Sequence, residues 1–195
     1  MLQFKTIDGK GIDAVEEVEL MKGKMKGTGL AMRLFGALVP FVSILSAADA
    51  QVCVVKDGLA KAEIVCPAKP HEAEKFAAAE LGRWIGEMTG AYVPVRDVRA
   101  ASGGLPRIYV GTSFARPRFP KDLRAIGRTD GYAVRTDGTN VYVFGTQPKG
   151  TLHAAYALLE RNSDIIWPRP DPTVGAVHST GRDFTVSDAD FLDVP

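Results

Sequence analysis

The side chains of this 195-residue chain best suited to hold a metal or act as a nucleophile are three histidines, His71, His153 and His178, and two cysteines, Cys53 and Cys66. No two histidines stand at i, i+4 on one helix, and no acid accompanies one in an HExxH pattern, so the spacing implies no metal site. No Gly-rich phosphate loop opens either long helix, since 146–151 carries one glycine, and no cofactor is expected. Neither cysteine is set up as a nucleophile. Cys53 also lacks the small residues that a lipid-anchoring motif needs just before it. If Asp57-Gly58 is a two-residue turn, the partner of Cys53 is near Ala62, and Cys66 lies too far along for a bridge, which leaves two buried free thiols as the expectation.

Paired carboxyl groups could do acid–base work, but here they scatter. Glu72, Glu74, Glu80 and Glu87 share one helix surface, while Asp137, Asp164, Asp171 and Asp183 sit in turns, where their side chains cap the backbone. Glu160 is the best remaining acid, yet its neighbour Arg161 is one residue away and so on a different face. No catalytic residue is expected. The one basic cluster, Arg116, Arg118 and Arg124, lies in a long segment from Gly111 to Asp130. Arg116, Arg118 and the aromatic Trp167 are the candidate carbohydrate or domain-interface residues, because an aromatic face suits a sugar ring and guanidinium suits a carboxylate. Trp84, on an apolar helix stripe, and Trp167, at the end of an apolar strand, fit a core or interface role at least as well.

A formal net charge of +1 on a chain with 24% charged and 46% hydrophobic residues gives no electrostatic reason to bind nucleic acid or a charged membrane. Lys22, Lys24, Lys26 and Arg33 precede an apolar run from Leu34 to Leu45 and the small-residue sequence Ala48-Asp49-Ala50. That order is a secretory signal over 21–50, with a mature, secreted or periplasmic protein from Gln51. The run is short for a membrane span, and the alternatives are a retained anchor or a buried helix. Residues 1–20 fit neither signal nor domain and read as a mispredicted extension, with Met21, Met25 and Met32 all plausible starts.

The elements that would position these side chains are legible from period and punctuation. Val52–Val55 and Ala60–Val65 flank Asp57-Gly58 as an opening hairpin, and a helix runs from Glu72 to Thr89 with Ala77, Leu81, Trp84, Ile85 and Met88 on one face and Gly90 closing it. Strands follow at Val93–Val95 and Arg107–Val110. Tyr132–Arg135 and Val141–Phe144 flank Asp137-Gly138-Thr139-Asn140 as a second hairpin. A second helix starts after Gly145 through Thr146-Gln147-Pro148-Lys149-Gly150, with Leu152, Ala155, Tyr156 and Leu159 as its stripe. The segment from Gly111 to Asp130 is expected as a loop with one helical turn near Asp122 to Ile126. A Pro-rich connection, Arg169 to Pro172, leads to a last strand at Asp183–Val186. The fold class is therefore α+β: a two-layer sandwich of a mixed β-sheet with two long helices on one face. Leu81, Trp84, Leu152 and Leu159 are the expected core centre, and the sheet face away from the helices is expected to stay bare and apolar.

The ordered set of strand and Gly145, Lys149-Gly150, Leu158-Leu159-Glu160 and Trp167-Pro168, with Glu80-Leu81, Met88-Thr89-Gly90 and Ile108-Tyr109-Val110-Gly111 ahead of it, resembles the N-terminal accessory domain of α-glucuronidases and the related domain of β-N-acetylhexosaminidases. The resemblance covers about Cys53 to Phe191. It departs from the family at Ser163-Asp164-Ile165-Ile166, where the family has Gly and a basic residue before the Trp. It implies a hexosaminidase domain-2-like accessory domain over 51–168, with 169–195 as a C-terminal strand and linker. The implied partner is a catalytic (β/α)8 barrel in cis that this chain does not contain. The role it implies is to buttress a glycoside hydrolase barrel, with an oligosaccharide as a further partner. The alternatives are a stand-alone carbohydrate-binding module and a small secreted hydrolase in its own right.

Overall fold

A computed structural model describes residues 51–169 and 175–195; the proposed signal and extension, and Pro170 to Pro172 of the Pro-rich connection, lie outside them. The elements in chain order are β1 (Val52–Lys56), β2 (Leu59–Ala60), β3 (Glu63–Cys66), α1 (Glu72–Thr89), β4 (Val95–Asp97), β5 (Arg107–Val110), α2 (Thr112–Ala115), α3 (Pro120–Ile126), β6 (Tyr132–Thr136), β7 (Val141–Gly145), α4 (Pro148–Asn162), β8 (Phe184–Val186) and β9 (Phe191–Asp193). No described helix is long and apolar enough to cross a membrane.

A six-stranded mixed sheet runs β4-β3-β5-β7-β6-β9, with β4, β3, β5 and β7 parallel and β6 antiparallel to both its neighbours. A smaller antiparallel sheet runs β2-β1-β8. The opening hairpin is therefore shorter than the sequence pattern implies. Asp57 and Gly58 both take positive φ, 54° and 76°, as a tight two-residue turn requires. Only Leu59 and Ala60 return along β1, after which the chain crosses to the large sheet as β3. Continuous burial of Glu63 to Cys66 explains this: a strand apolar on both faces needs cover on both sides, which only the centre of the large sheet offers. Cys53 and Cys66 thus belong to different sheets and are both free thiols. The strand expected at Val93–Val95 forms two residues later, as β4.

Both long helices lie on one face of the large sheet, as the pattern requires, and pack against each other and on β3, β6 and β7. Helix α1 begins at His71, whose ring accepts from Ala73 N while the Glu74 carboxylate returns to His71 N at 2.9 Å, a reciprocal cap. It ends on Gly90 at φ 70°. The first layer holds Ala77, Leu81, Ile85, Ile108, Val110, Val134, Val143, Ala155, Leu158 and Leu159, and the inner residues of β1 and β8 join it. Leu81 and Leu159 are fully buried, but Trp84 and Leu152 are only partly covered. The buried face of α4 takes in Thr151, Ala154 and Leu158 together with Ala155 and Leu159 of the expected stripe, while Leu152 and Tyr156 of that stripe are only partly covered. Small residues face the sheet because α4 approaches it closely. A Cβ on Gly145 would lie 2.6 Å from Gly150 C, and one on Gly150 would lie 2.5 Å from Gly131 O.

The other sheet face is not bare. Alternation along the strands turns Tyr109, Ala133, Tyr142 and Phe144 outward, and α2 and α3 cover them with Ala115, Ile126, Phe114, Phe119 and Leu123. The segment expected as a loop is thus two short helices that close a second aromatic core, with Phe119 stacked on Phe144 at 5.7 Å and Tyr109 on Tyr142 at 5.1 Å. At the C-terminus, β8 forms as expected and β9 adds an edge strand beyond it.

Candidate functional site

The candidate residues from the sequence fall on opposite faces of the large sheet. Trp167 packs over the seam of α1 and α4, edge-on to Trp84 at 4.8 Å and to Tyr156 at 5.0 Å. Beneath it the carboxylate of Glu80, 8% exposed, accepts from Trp84 Nε1 at 3.0 Å and Tyr156 OH at 2.7 Å. Two donors from two elements satisfy a carboxylate that burial would otherwise penalise, and they tie α1 to α4. Burial, then the bond to Glu80, pushes the Tyr156 hydroxyl up to about 12. Arg83 lies 4.3 Å over the Trp84 ring. The Trp167 ring is therefore committed to aromatic contacts, and its Nε1 is buried without a partner among the described residues.

Arg116 and Arg118 lie with α2 on the other layer. Arg118 sits 5.2 Å over the Tyr142 ring and 3.7 Å from Asp137 Oδ2, which also accepts from Tyr142 OH at 2.8 Å. Arg116 is exposed, with no ion pair among the described residues. Arg118 thus holds the loop of the β6–β7 hairpin against α2, and the aromatics beside it, Phe114 and Phe119, are turned into the second core.

Several carboxylates serve structural tasks, whereas Glu160 is exposed on α4 with no ion pair among the described residues, its neighbour Arg161 pairing with Asp188 instead. Glu63, fully buried at the start of β3, belongs to no motif in the sequence. It accepts from Arg107 Nε at 3.1 Å and Ser102 N at 3.0 Å, with Arg96 Nε at 3.6 Å, and so anchors the linker that carries the chain from β4 across to β5. An acid opening an otherwise apolar strand was its one signal. Among cavities bounded by described residues, one of about 360 Å3 is lined by two carboxyl groups, Asp164 and Asp183. Asp164 accepts from Ser179 N with both oxygens, each at 3.1 Å, and Asp183 takes Lys56 Nζ at 2.5 Å and Asp57 N at 2.7 Å. Ser179 and Lys56 respectively hold both groups below the ordinary aspartate range. Neither is poised as the protonated acid that glycoside cleavage requires. An open groove of about 590 Å3 runs along α1 past Gly82, Gly86 and Tyr92, which is 84% exposed, and Glu87 is its one acid.

A smaller cavity of about 120 Å3 sits at the carboxyl ends of β5 and β7, between His71 and Glu74 of the α1 cap, Thr112, and Thr146, Gln147, Pro148 and Thr151 at the start of α4. Glu74 spans it, with Oε1 accepting from Thr112 N at 3.1 Å. The sequence marks this place only as the lead-in to a helix. What reveals it is topology: adjacent parallel strands β3, β5 and β7 send the chain to α1, α2 and α4 on alternating faces, which leaves a crevice at their ends.

No protein-family model matches the chain, and no curated protein does. Among solved structures, the chain is similar to a GH138 enzyme targeting pectin rhamnogalacturonan II, at 17% identity and a TM-score of 0.34, over 51% of this chain and 10% of the enzyme's. The chain thus spans a tenth of the length of that structure.

Proposed function

We propose that this chain is the non-catalytic accessory domain of a secreted glycoside hydrolase of the α-glucuronidase or hexosaminidase kind, acting beside a (β/α)8 barrel that carries the chemistry. The observation that carries the non-catalytic half of this reading is the state of the carboxylates. In the cavity lined by both Asp164 and Asp183, each acid is consumed by structural donors and held low. Glu63, Glu74 and Glu80 each satisfy N–H or O–H groups of other elements. A glycosidase needs one carboxyl kept protonated and a second ionised across the bond it cleaves. The carbohydrate half rests on the ordered motifs from Glu80-Leu81 to Trp167-Pro168. Three of these serve as structural joints: Gly145 with Gly150 as the close approach of α4 to the sheet, Leu158-Leu159 as core, and Trp167 as the seal over the helical seam. Export through a signal over 21–50 is part of the same proposal.

Tyr92 favours a second reading, a stand-alone carbohydrate-binding module, because an 84% exposed aromatic beside an open groove is suited to stacking on a sugar. Hydrolysis assays on the purified chain with aryl glycosides and glucuronoxylan fragments test the main proposal. No turnover above background is expected, and turnover lost on changing one carboxylate to its amide would overturn it.

A further inference from the structure

The cavity at the ends of β5 and β7 has unspent hydrogen-bonding capacity of a particular kind. Thr146 lines it, and its hydroxyl is buried without any partner among the described residues. Thr151, 1% exposed, accepts from Gly145 N at 3.1 Å and donates to no acceptor among the described residues. Gln147, at the N-cap of α4, makes no side-chain cap bond. Facing these donors is Glu74, each of whose oxygens takes one backbone N–H, from Thr112 and from His71. An ionised carboxylate offers about four lone-pair sites, so roughly two remain for a ligand. Buried hydroxyls in native proteins are normally paired, by protein or by something bound.

We infer that this cavity binds a neutral vicinal diol, as presented by the edge of a sugar ring or by a small polyol, with Glu74 accepting from the ligand hydroxyls and Thr146, Thr151 and Gln147 donating to them. Two features select that chemistry. At about 120 Å3 the space holds roughly four waters, enough for the edge of a pyranose and too small for a whole drug-sized ligand. Glu74 inside the wall disfavours an anion, whose charge it would oppose at short range, while a diol both donates and accepts. The inference does not rest on the accessory-domain reading, since it requires neither a barrel nor an absence of catalysis.

The test is titration of the 15N-labelled full chain with D-xylose, glycerol and sodium acetate, followed by the backbone amide signals of Thr112, Thr146, Gln147, Gly150 and Thr151. Saturable shifts at those amides with xylose are expected, and Thr146→Val, which keeps the side-chain shape and removes the hydroxyl, should weaken the apparent affinity at least tenfold. Should that variant not fold, Gln147→Ala at the uncapped helix start should weaken binding at least threefold. Saturation by glycerol and not xylose would assign the same diol chemistry to a free polyol. Shifts with acetate alone would make this an anion site, no saturable shift at these amides with either diol would show it to hold water only, and undiminished binding by the folded variants would remove the named donors from the site; each result overturns the inference.

Discussion

Replacing Gly145 by alanine tests the joint on which the helical layer rests. The glycine ends β7 in extended backbone, so alanine meets no φ penalty there, and the entire effect must come from contact. The new methyl would lie 2.6 Å from Gly150 C, 2.7 Å from Gly150 Cα and 2.8 Å from Thr151 N. All three are backbone atoms of the first turn of α4, which cannot swing aside as a side-chain tip does. The helix must move outward by about 1 Å, an overpacking cost at the upper end of about 1–3 kcal/mol. The same movement stretches the bond from Gly145 N to Thr151 Oγ1, at 3.1 Å, worth about 1 kcal/mol. A gain of about 0.4–1 kcal/mol from a stiffer unfolded chain offsets part of this. The net loss is about 3 kcal/mol, a large share of a stability of about 5–15 kcal/mol. At about 4 °C per kcal/mol it lowers the melting temperature by about 12 °C. Urea and thermal unfolding followed by circular dichroism would measure it. Gly103→Ala is the control, because a methyl there meets nothing within 4 Å, and its stability should change by less than about 1 kcal/mol. If Gly145→Ala matched that control, the close approach of α4 would not be what fixes the layer.

Two further outcomes follow from the packing and the titrating groups. Leu159→Ala, at a fully buried position, should cost about 2–5 kcal/mol, whereas Leu152→Ala, at a partly covered one, should cost clearly less; paired urea midpoints decide, and equal losses would restore the stripe expected from the sequence. The Tyr156 hydroxyl, pushed up to about 12 by burial and Glu80, stays protonated in the folded chain where an unfolded tyrosine, near 10, has ionised, so its stabilising effect is complete below pH 10 and is lost as pH rises from about 10 to 12. Stability measured across that window should therefore fall with pH, and Tyr156→Phe should flatten the slope; an unchanged slope in the variant would contradict the assignment.

The sequence carried the long helices well because each has a signal of its own: the apolar stripe and closing Gly90, at φ 70°, for α1, and the lead-in with Pro148 in the first turn for α4. The β6–β7 hairpin was equally legible, its loop closed by Asp137 accepting from Thr139 N and Asn140 N. Elsewhere the deciding contact is remote in sequence. Nothing local tells Glu63 to Cys66 to leave its neighbour β2 for a central parallel strand, because parallel partners lie far along the chain. The segment from Gly111 to Asp130, with Pro117 and Pro120, resembles a loop until Tyr142 and Phe144 require cover on the second face, which α2 and α3 then supply. The site residues suffered in the same way. Arg116, Arg118 and Trp167 are suited to a carbohydrate surface by type, but the sheet separates them, and the cavity at Thr146 is assembled from the starts of α1, α2 and α4, which no single motif marks.

The proposed role as a non-catalytic companion to a hydrolase barrel is tested most directly by comparing glycosidase activity in two preparations: the purified chain, and the native protein immunoprecipitated from its cells with an antibody to this domain. The account predicts no hydrolysis of aryl glycosides or glucuronoxylan fragments by the purified chain. It predicts turnover in the precipitate, carried by a polypeptide larger by about the 250 residues of a barrel. Turnover by the purified chain, or a native species no larger than this chain whose precipitate has no glycosidase activity, would contradict it.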